Sequence, residues 1–377
     1  MKIAFTGGGT GGHFYPIIAV AESIQKISQE KKFISPELYF FAPTPYNQGI
    51  LYDHKIKYKK VTAGKLRRYF SIMNFFDIFK TAWGSFIAFF DMFSIFPDVL
   101  FSKGGFGSFP AVTAAFILRI PVVVHESDSV PGIVNKFAGK FATRVALSYK
   151  EASKYFDPQK TQLTGQPILK DKTIPITANA LEFFGLESSV PTIFIMGGSQ
   201  GSETINNAVL DSLIDLVKDF QIIHQTGKVN FEPVKESAEA ILINQPNKNR
   251  YKPIEYLNSL EMMMAAGASS VIVSRGGSTI FEIAAWGIPS IIIPITHSNG
   301  DHQVKNAFSY AKYGACSVIK EENLKSHIFL AEIRRILGDK NIIESMKNGS
   351  KQFFKQGAAD AIAQELLSIA ISHQKLD

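Results

Sequence analysis

The chain is expected to be an α/β protein of two parallel-sheet domains, and three stretches carry that expectation. Lys2 to Thr6 (KIAFT) is a short apolar run that passes straight into GGGTGG and then into a helical pattern. Thr192 to Met196 (TIFIM) does the same, leading through Gly197-Gly198-Ser199-Gln200-Gly201 into helical spacing over Ile205 to Val217. Val271 to Val273 reaches the pair Gly276-Gly277, an apolar-periodic helix and a second strand at Ile291 to Ile293. Strand, glycine turn and helix form the opening unit of a doubly wound sheet, where ligands bind beyond the carboxyl ends of the strands and helix N-termini attract anions. Two halves that open alike predict duplicated Rossmann-like domains facing each other.

The composition fits. A chain of 377 residues exceeds the size at which one core keeps growing, so two domains are expected. It is 46% hydrophobic and 19% charged, with Gly and Pro spread along its length, which describes a globular protein. A formal charge of +7 suits a diphosphate substrate or an anionic membrane surface. No recognised nucleic-acid module occurs, so no nucleic acid is expected as a partner. Cys316 is the single cysteine, which excludes a disulfide framework or a CxxC metal site and favours a reducing compartment. The first strand begins at Lys2, leaving no room for a signal peptide. A long uncharged run, Ile283 to Gly300, contains Pro289 and Pro294 and is read as helix end, strand and loop. A soluble or peripheral protein is expected.

Taken in order, Gly7 to Gly12 lets backbone N–H groups approach an anion or sugar closely, although a turn that needs glycine for packing alone fits the same residues. Pro16 suits a first helical turn, and Ile17, Ile18, Ala21 and Ile24 recur at helical spacing. His13, at the end of the loop, is placed to point into a cleft. From Gly64 to Phe96 the character changes. Lys65, Arg67 and Arg68 precede Tyr69, Phe70, Phe75, Phe76, Phe79, Trp83, Phe86, Phe89, Phe90, Phe93 and Phe96, with Lys80 interrupting. Cations at one end of an aromatic amphipathic helix match an interfacial membrane contact, while core packing is the alternative for any single ring. Asp98 to Phe101 is a strand leading to a second glycine loop, Ser102 to Ser108. Pro121 to Val124 is another, ending at His125-Glu126-Ser127-Asp128, where polar side chains face a cleft or form a structural His–Glu pair. Asn135 to Ala142 is the next helix. Periodicity fades from Gln166 to Ala178, which serves as the linker. Residues 1–165 and 166–340 are therefore the two domains. The helices of 341–377, ending in the amphipathic Ala361 to Ala370, are expected to pack back on the first.

GGGTGGH at Gly7 to His13, SKGGFGSFP at Ser102 to Pro110, GGSQGS at Gly197 to Ser202 and the stretch Ser274 to Ala307 together resemble glycosyltransferase family 28. More narrowly, they resemble its peripheral membrane enzymes that add N-acetylglucosamine from UDP-GlcNAc to lipid I, making lipid II for peptidoglycan. HE-x-x-x-x-PG at His125 to Gly132 and TGQP at Thr164 to Pro167 add to the likeness, which spans nearly the whole chain. The resemblance implies a GT-B fold, two Rossmann-like domains facing across a cleft, with the donor in the C-terminal half. It places the acceptor and the membrane patch in the N-terminal half, at the cytoplasmic side of an anionic inner-leaflet membrane surface. It also implies an inverting transfer with neither metal nor cofactor. No D-x-D pair occurs, and helix dipoles and N–H groups can stabilise the leaving diphosphate.

Residue by residue, the resemblance makes His13 the general base, a role that a neutral imidazole suits. Glu126 stands beside it as a second catalytic candidate, and Thr10, Gly11, Gly12 and Asp128 as substrate contacts. Ser199, with Gly198, Gln200 and Gly201, matches the loop on the donor phosphate. Arg275, Gly276, Gly277, Ser278 and Thr279 match the turn and helix start that share this task. Glu282 matches the acid that accepts both ribose hydroxyls, though Thr279 and Glu282 also have capping-box spacing. His302 and Gln303 match the loop that reads GlcNAc, and Leu257 supplies backbone to uracil. The pattern departs at Asp128, where the family has asparagine, and at Leu169, where arginine is common. Arg275 lies one residue nearer Glu282 than the family spacing. A transferase with another lipid acceptor, a UDP-GlcNAc epimerase of the same architecture and a non-catalytic lipid-binding protein are the competing readings.

Overall fold

The computed structural model describes residues 1–64, 72–198, 200–296 and 299–374. Lys65, Arg67, Arg68, Tyr69, Phe70 and Ser199 lie outside these described residues. The chain divides into two compact units, Met1–Leu169 with Lys355–Asp377, and Lys170–Phe354.

The first unit runs β1 (Lys2–Thr6), α1 (Gly11–Glu30), β2 (Glu37–Ala42), α2 (Gln48–Asp53), β3 (Ile56–Lys60), α3 (Ile72–Ile95), β4 (Val99–Ser102) and α4 (Phe109–Ile117). It continues β5 (Val122–Glu126), α5 (Ile133–Ala138), β6 (Arg144–Leu147) and β7 (Thr161–Leu163). Its strands are parallel in the order β3-β2-β1-β4-β5-β6-β7. Helices cover both faces, which is why the strands carry unbroken apolar runs. On one face Ile3, Phe5 and Phe101 pack against Ile17, Val20 and Ile24 of α1, and on the other Ala4, Leu100 and Val124 meet Ala88 and Met92 of α3 and Val112 of α4. Where a helix was expected over Asn135 to Ala142, α5 occupies Ile133–Ala138. The ring of Phe156 lies 2.5 Å from the site of a Cβ on Gly139, so the chain there packs closely against it.

The second unit contains α6 (Ala180–Phe183), β8 (Thr192–Met196), α7 (Glu203–Asp219), β9 (Gln221–Gln225), α8 (Phe231–Leu242), β10 (Tyr251–Ile254), α9 (Ser259–Ala268) and β11 (Val271–Ser274). Then come α10 (Thr279–Trp286), β12 (Ser290–Ile292), α11 (His302–Ala311), β13 (Cys316–Val318), α12 (Ser326–Gly338) and α13 (Lys340–Phe353). Its parallel order, β10-β9-β8-β11-β12-β13, repeats that of the first sheet. Ile193, Ile195, Val271, Val273 and Ile291 pack under α7 and α12.

The expectation that all of 341–377 returns to the first domain is corrected by packing. Met346 of α13 belongs to the second core, whereas α14 (Ala358–Gln374) lays Ala359, Ile362, Ala363, Leu366, Leu367 and Ala370 into the first. The outgoing and returning chains touch there, since a Cβ on Gly165 would stand 2.6 Å from that of Lys355. In each sheet the winding reverses beside the first strand, between β1 and β4 and between β8 and β11. The glycine-rich turns at 7–12, 103–107, 197–201 and 276–277 follow those four strands, so they flank the two switch points where such folds bind ligands.

Candidate active site

At the first switch point the turns after β1 and β4 press backbone against backbone. A Cβ on Gly105, whose φ is +81°, would lie 3.0 Å from Gly8 Cα and 3.2 Å from His13 Cε1, so only glycine fits. Thr10 precedes α1 but does not cap it; its hydroxyl lies 3.0 Å from His13 Nδ1 instead. The N–H groups of Gly11 and Gly12 therefore open α1 with no side-chain acceptor among the described residues, an anion-ready helix start. Burial, and then the nearby Lys103 charge, push the His13 imidazole down to about 4, with Asp128 opposing, so it is neutral at physiological pH.

His125 is wholly buried. Its Nε2–H donates to Gly165 O at 3.0 Å, and its Nδ1 accepts from the Lys103 ammonium at 2.8 Å. Glu126, 3% exposed, accepts from Asp128 N at 2.9 Å through one oxygen, and from Asn135 Nδ2 at 2.8 Å and Gly132 N at 3.2 Å through the other. Burial, then the neighbouring Asp128 charge, raises its carboxyl to about 7. With both oxygens occupied by the 128–135 loop, Glu126 organises the segment that carries Asp128. Leu169 packs on the first unit's core.

In the second unit Ser202 caps α7, accepting from Ile205 N at 3.2 Å. Gly201 has φ +78°, and a Cβ there would meet Thr226 O at 2.0 Å. The Gln225 amide joins two loop ends, donating to Gly198 O at 3.2 Å and accepting from Leu257 N at 3.0 Å. Leu257 thus has its N–H satisfied within the protein. Arg275, expected on the donor phosphate, donates to Ile293 O at 3.0 Å and to Ser202 Oγ, and pairs with Glu321 at 2.7 Å. Its guanidinium is a strut between β11, the α7 cap and Glu321.

Gly276 backs onto α11, where a Cβ would lie 2.4 Å from Gln303 O, whereas Gly277 faces open space. α10 begins at Thr279 after Ser278, which makes no capping bond. Glu282 consequently sits one residue beyond the capping-box position, and that alternative is removed. Its carboxyl has no hydrogen-bond partner among the described residues; burial raises it, opposed by the charge of Lys172. Lys172 is held nearby through its carbonyl, which accepts from Trp286 Nε1 at 2.9 Å. Gln303 Oε1 accepts from Ile295 N at 3.2 Å, and His302 opens α11 beside it. Sequence reasoning missed Lys103, Gln225 and Glu321 as site organisers; only the lysine inside SKGG was a visible signal.

The aromatic segment forms α3, which turns Asp77, Gly84, Ala88 and Met92 inward and leaves Phe75, Phe76, Phe79, Trp83, Phe86, Phe90 and Phe93 more than half exposed. Gly84 is pressed on Thr62, whose carbonyl would stand 1.6 Å from a Cβ. By length and composition Phe75–Ile95 is apolar enough to cross a membrane, and one side of it is packed on α4.

The model of the glycosyltransferase family 28 N-terminal domain matches residues 3–147, and that of the family's C-terminal domain matches residues 192–363. A Clostridium kluyveri protein named UDP-N-acetylglucosamine–N-acetylmuramyl-(pentapeptide) pyrophosphoryl-undecaprenol N-acetylglucosamine transferase is 36% identical, covering 93% of this chain and 96% of its own length. One of the same name from Treponema denticola is 34% identical over 92% of this chain and 91% of its own. Among solved structures, Acinetobacter baumannii MurG superposes with TM-score 0.73 at 21% identity, covering 97% of this chain and 99% of its own, which shows the GT-B fold. With both domain models matched in order and identity of this degree along nearly the whole length, the chain belongs to glycosyltransferase family 28.

Proposed function

We propose that this glycosyltransferase moves N-acetylglucosamine from UDP-GlcNAc, with inversion, to the MurNAc 4-hydroxyl of lipid I, forming lipid II for peptidoglycan. The observation that carries this reading is the whole-length likeness to transferases named for that reaction.

In the second unit the uncapped start of α10 at Gly276, Gly277, Ser278 and Thr279, beside the turn of Gly198, Ser199, Gln200 and Gly201, holds the donor diphosphate. Glu282, without a hydrogen-bond partner among the described residues, accepts the two ribose hydroxyls. The Leu257 carbonyl meets uracil, and His302 and the Gln303 amide nitrogen read the sugar. In the first unit Thr10, Gly11, Gly12 and Asp128 face the acceptor, whose own diphosphate suits the open N–H groups of α1. The exposed face of α3 enters an anionic inner-leaflet surface, keeping the enzyme peripheral at the cytoplasmic side.

If His13 Nδ1–H donates to Thr10 Oγ1, the Nε2 lone pair is left to take a proton. The acceptor 4-hydroxyl loses its proton to Nε2 and its oxygen bonds to GlcNAc C1. The bond from C1 to the diphosphate breaks, and UDP leaves with that electron pair, its charge met by helix N–H groups. UDP release from UDP-GlcNAc, measured with and without a short-chain lipid I analogue, tests the reading. Release that depends on the analogue and not on diacylglycerol is expected. Equal release with diacylglycerol, or conversion of UDP-GlcNAc with no acceptor, would sink it.

A further inference from the structure

Lys103 is the most unusual buried residue in the first unit. It is 1% exposed, and its ammonium donates to neutral groups, His125 Nδ1 at 2.8 Å and Ser127 Oγ, rather than closing an ion pair. Burying a cation without a direct counter-ion is costly, so its retention asks for a reason beyond packing. Its position suggests one. The Lys103 backbone N–H donates to Thr6 O at 2.9 Å, tying β4 to the end of β1. Its Cβ and that of His13 each lie 3.4 Å from where a Cβ on Gly7 would stand, so they are no more than 6.8 Å apart. The head group meanwhile ties the end of β5. One side chain thus joins three loop ends around the imidazole.

We propose that Lys103 is a positioning residue for His13, its buried ammonium and backbone N–H holding the ends of β1, β4 and β5 around the imidazole. This rests on the reading of His13 as the base. The groups facing His13 are Thr10 on its own helix start, Lys103 from the β4 turn and Asp128 from the loop after β5; His125 and Glu126 stand behind Lys103. Asp128 acts in the opposite sense to Lys103. The cation lowers the His13 titration, so removing it must raise that titration.

The experiment uses the full-length protein with labelled histidine rings, the His13 resonance being assigned by its loss in H13N. In wild type the His13 midpoint should lie well below 6.5, and a midpoint at 6.5 overturns the proposal without any variant. K103M keeps the stem and removes the charge; the midpoint should rise. S127A keeps the charge and should leave the midpoint in place. A folded K103M with an unmoved His13 midpoint means a structural lysine only and overturns the proposal. The acid limb of kcat/KM is then read separately. If the midpoint rises in K103M and the acid limb does not, Lys103 stands and His13 as base falls.

Discussion

Glu282 lies on the first turn and a half of α10, partly buried and without a hydrogen-bond partner among the described residues, next to a helix start that Ser278 does not cap. A carboxylate so placed gives the folded protein little, because desolvation opposes its charge and nothing repays it but the field of Lys172. Its removal should cost binding and not stability. E282A should raise KM for UDP-GlcNAc by roughly ten- to a hundred-fold, the scale of a charge-assisted hydrogen bond, while the thermal midpoint stays level or rises. A collapsed midpoint in calorimetry would show a structural acid. His13 makes the complementary case, since it is proposed to act on the acceptor. H13A should lower kcat by about 10² to 10⁴ with UDP binding by titration calorimetry unchanged. At this scale the sequence was only half legible. A place at the end of a glycine loop marked His13, whereas Glu282 was marked by the family resemblance alone, its spacing reading equally as a capping box. Neither signal revealed that Arg275 is held by Ser202, Ile293 and Glu321, or that the oxygens of Glu126 are taken by its own loop, because such partners are brought together only by tertiary contact.

α3 shows how one element divides its two sides. Its inward stripe, Asp77, Gly84, Ala88 and Met92, follows helical spacing, and Gly84 allows the axis to approach Thr62 more closely than any side chain would. The outward side is aromatic, and rings such as Phe86 and Phe90 touch one another at 4.7 Å between centroids rather than a core. The sequence announced an aromatic helix but left open which rings were core; the inward stripe settles that for the described residues. Trp83, 61% exposed, makes the surface measurable. In W286F it is the one tryptophan left, and its emission should shift to the blue on anionic vesicles. In that background F79E/F86E should abolish both the shift and vesicle cosedimentation while sparing turnover of a short-chain, water-soluble acceptor. Unchanged cosedimentation would mean that the membrane contact lies elsewhere.

Across the whole molecule the duplication was the most legible feature, because strand, glycine turn and helix are local signals that recur. The handover near 354 was not, since α13 and α14 are both amphipathic and only their packing partners differ. Each unit also holds a buried neutral imidazole, on strands that do not correspond in the two sheets, His125 on β5 and His224 on β9, and hence a shared weakness in acid. His224 is held by Tyr251 OH at 2.8 Å on Nδ1 and by Asn206 Oδ1 at 3.0 Å on Nε2, and burial pushes it down to about 3. Asn206 gives its own N–H to Thr226 O at 3.1 Å, so the ring donates from Nε2 and accepts at Nδ1 from the Tyr251 hydroxyl, and a second proton would put an unpaired charge in the core. The folded form binds fewer protons than the unfolded chain, so stability is full above the unfolded value of 6.5 and declines as pH falls below it. By pH 5 the loss is about 2 kcal/mol. In the first unit the same term from His125 is opposed by Glu126, whose raised carboxyl stabilises as pH falls through about 7. In the second unit the raised carboxyl of Glu282 opposes His224 in the same sense, so the His224 share is read by difference against H224Q. In W83F the buried Trp286 is the only tryptophan and reports that unit alone. Its urea midpoint should drop between pH 8 and pH 5, and H224Q, less stable at pH 8, should lose most of that dependence. A midpoint equally pH-dependent in H224Q would place the acid-sensitive group somewhere other than β9.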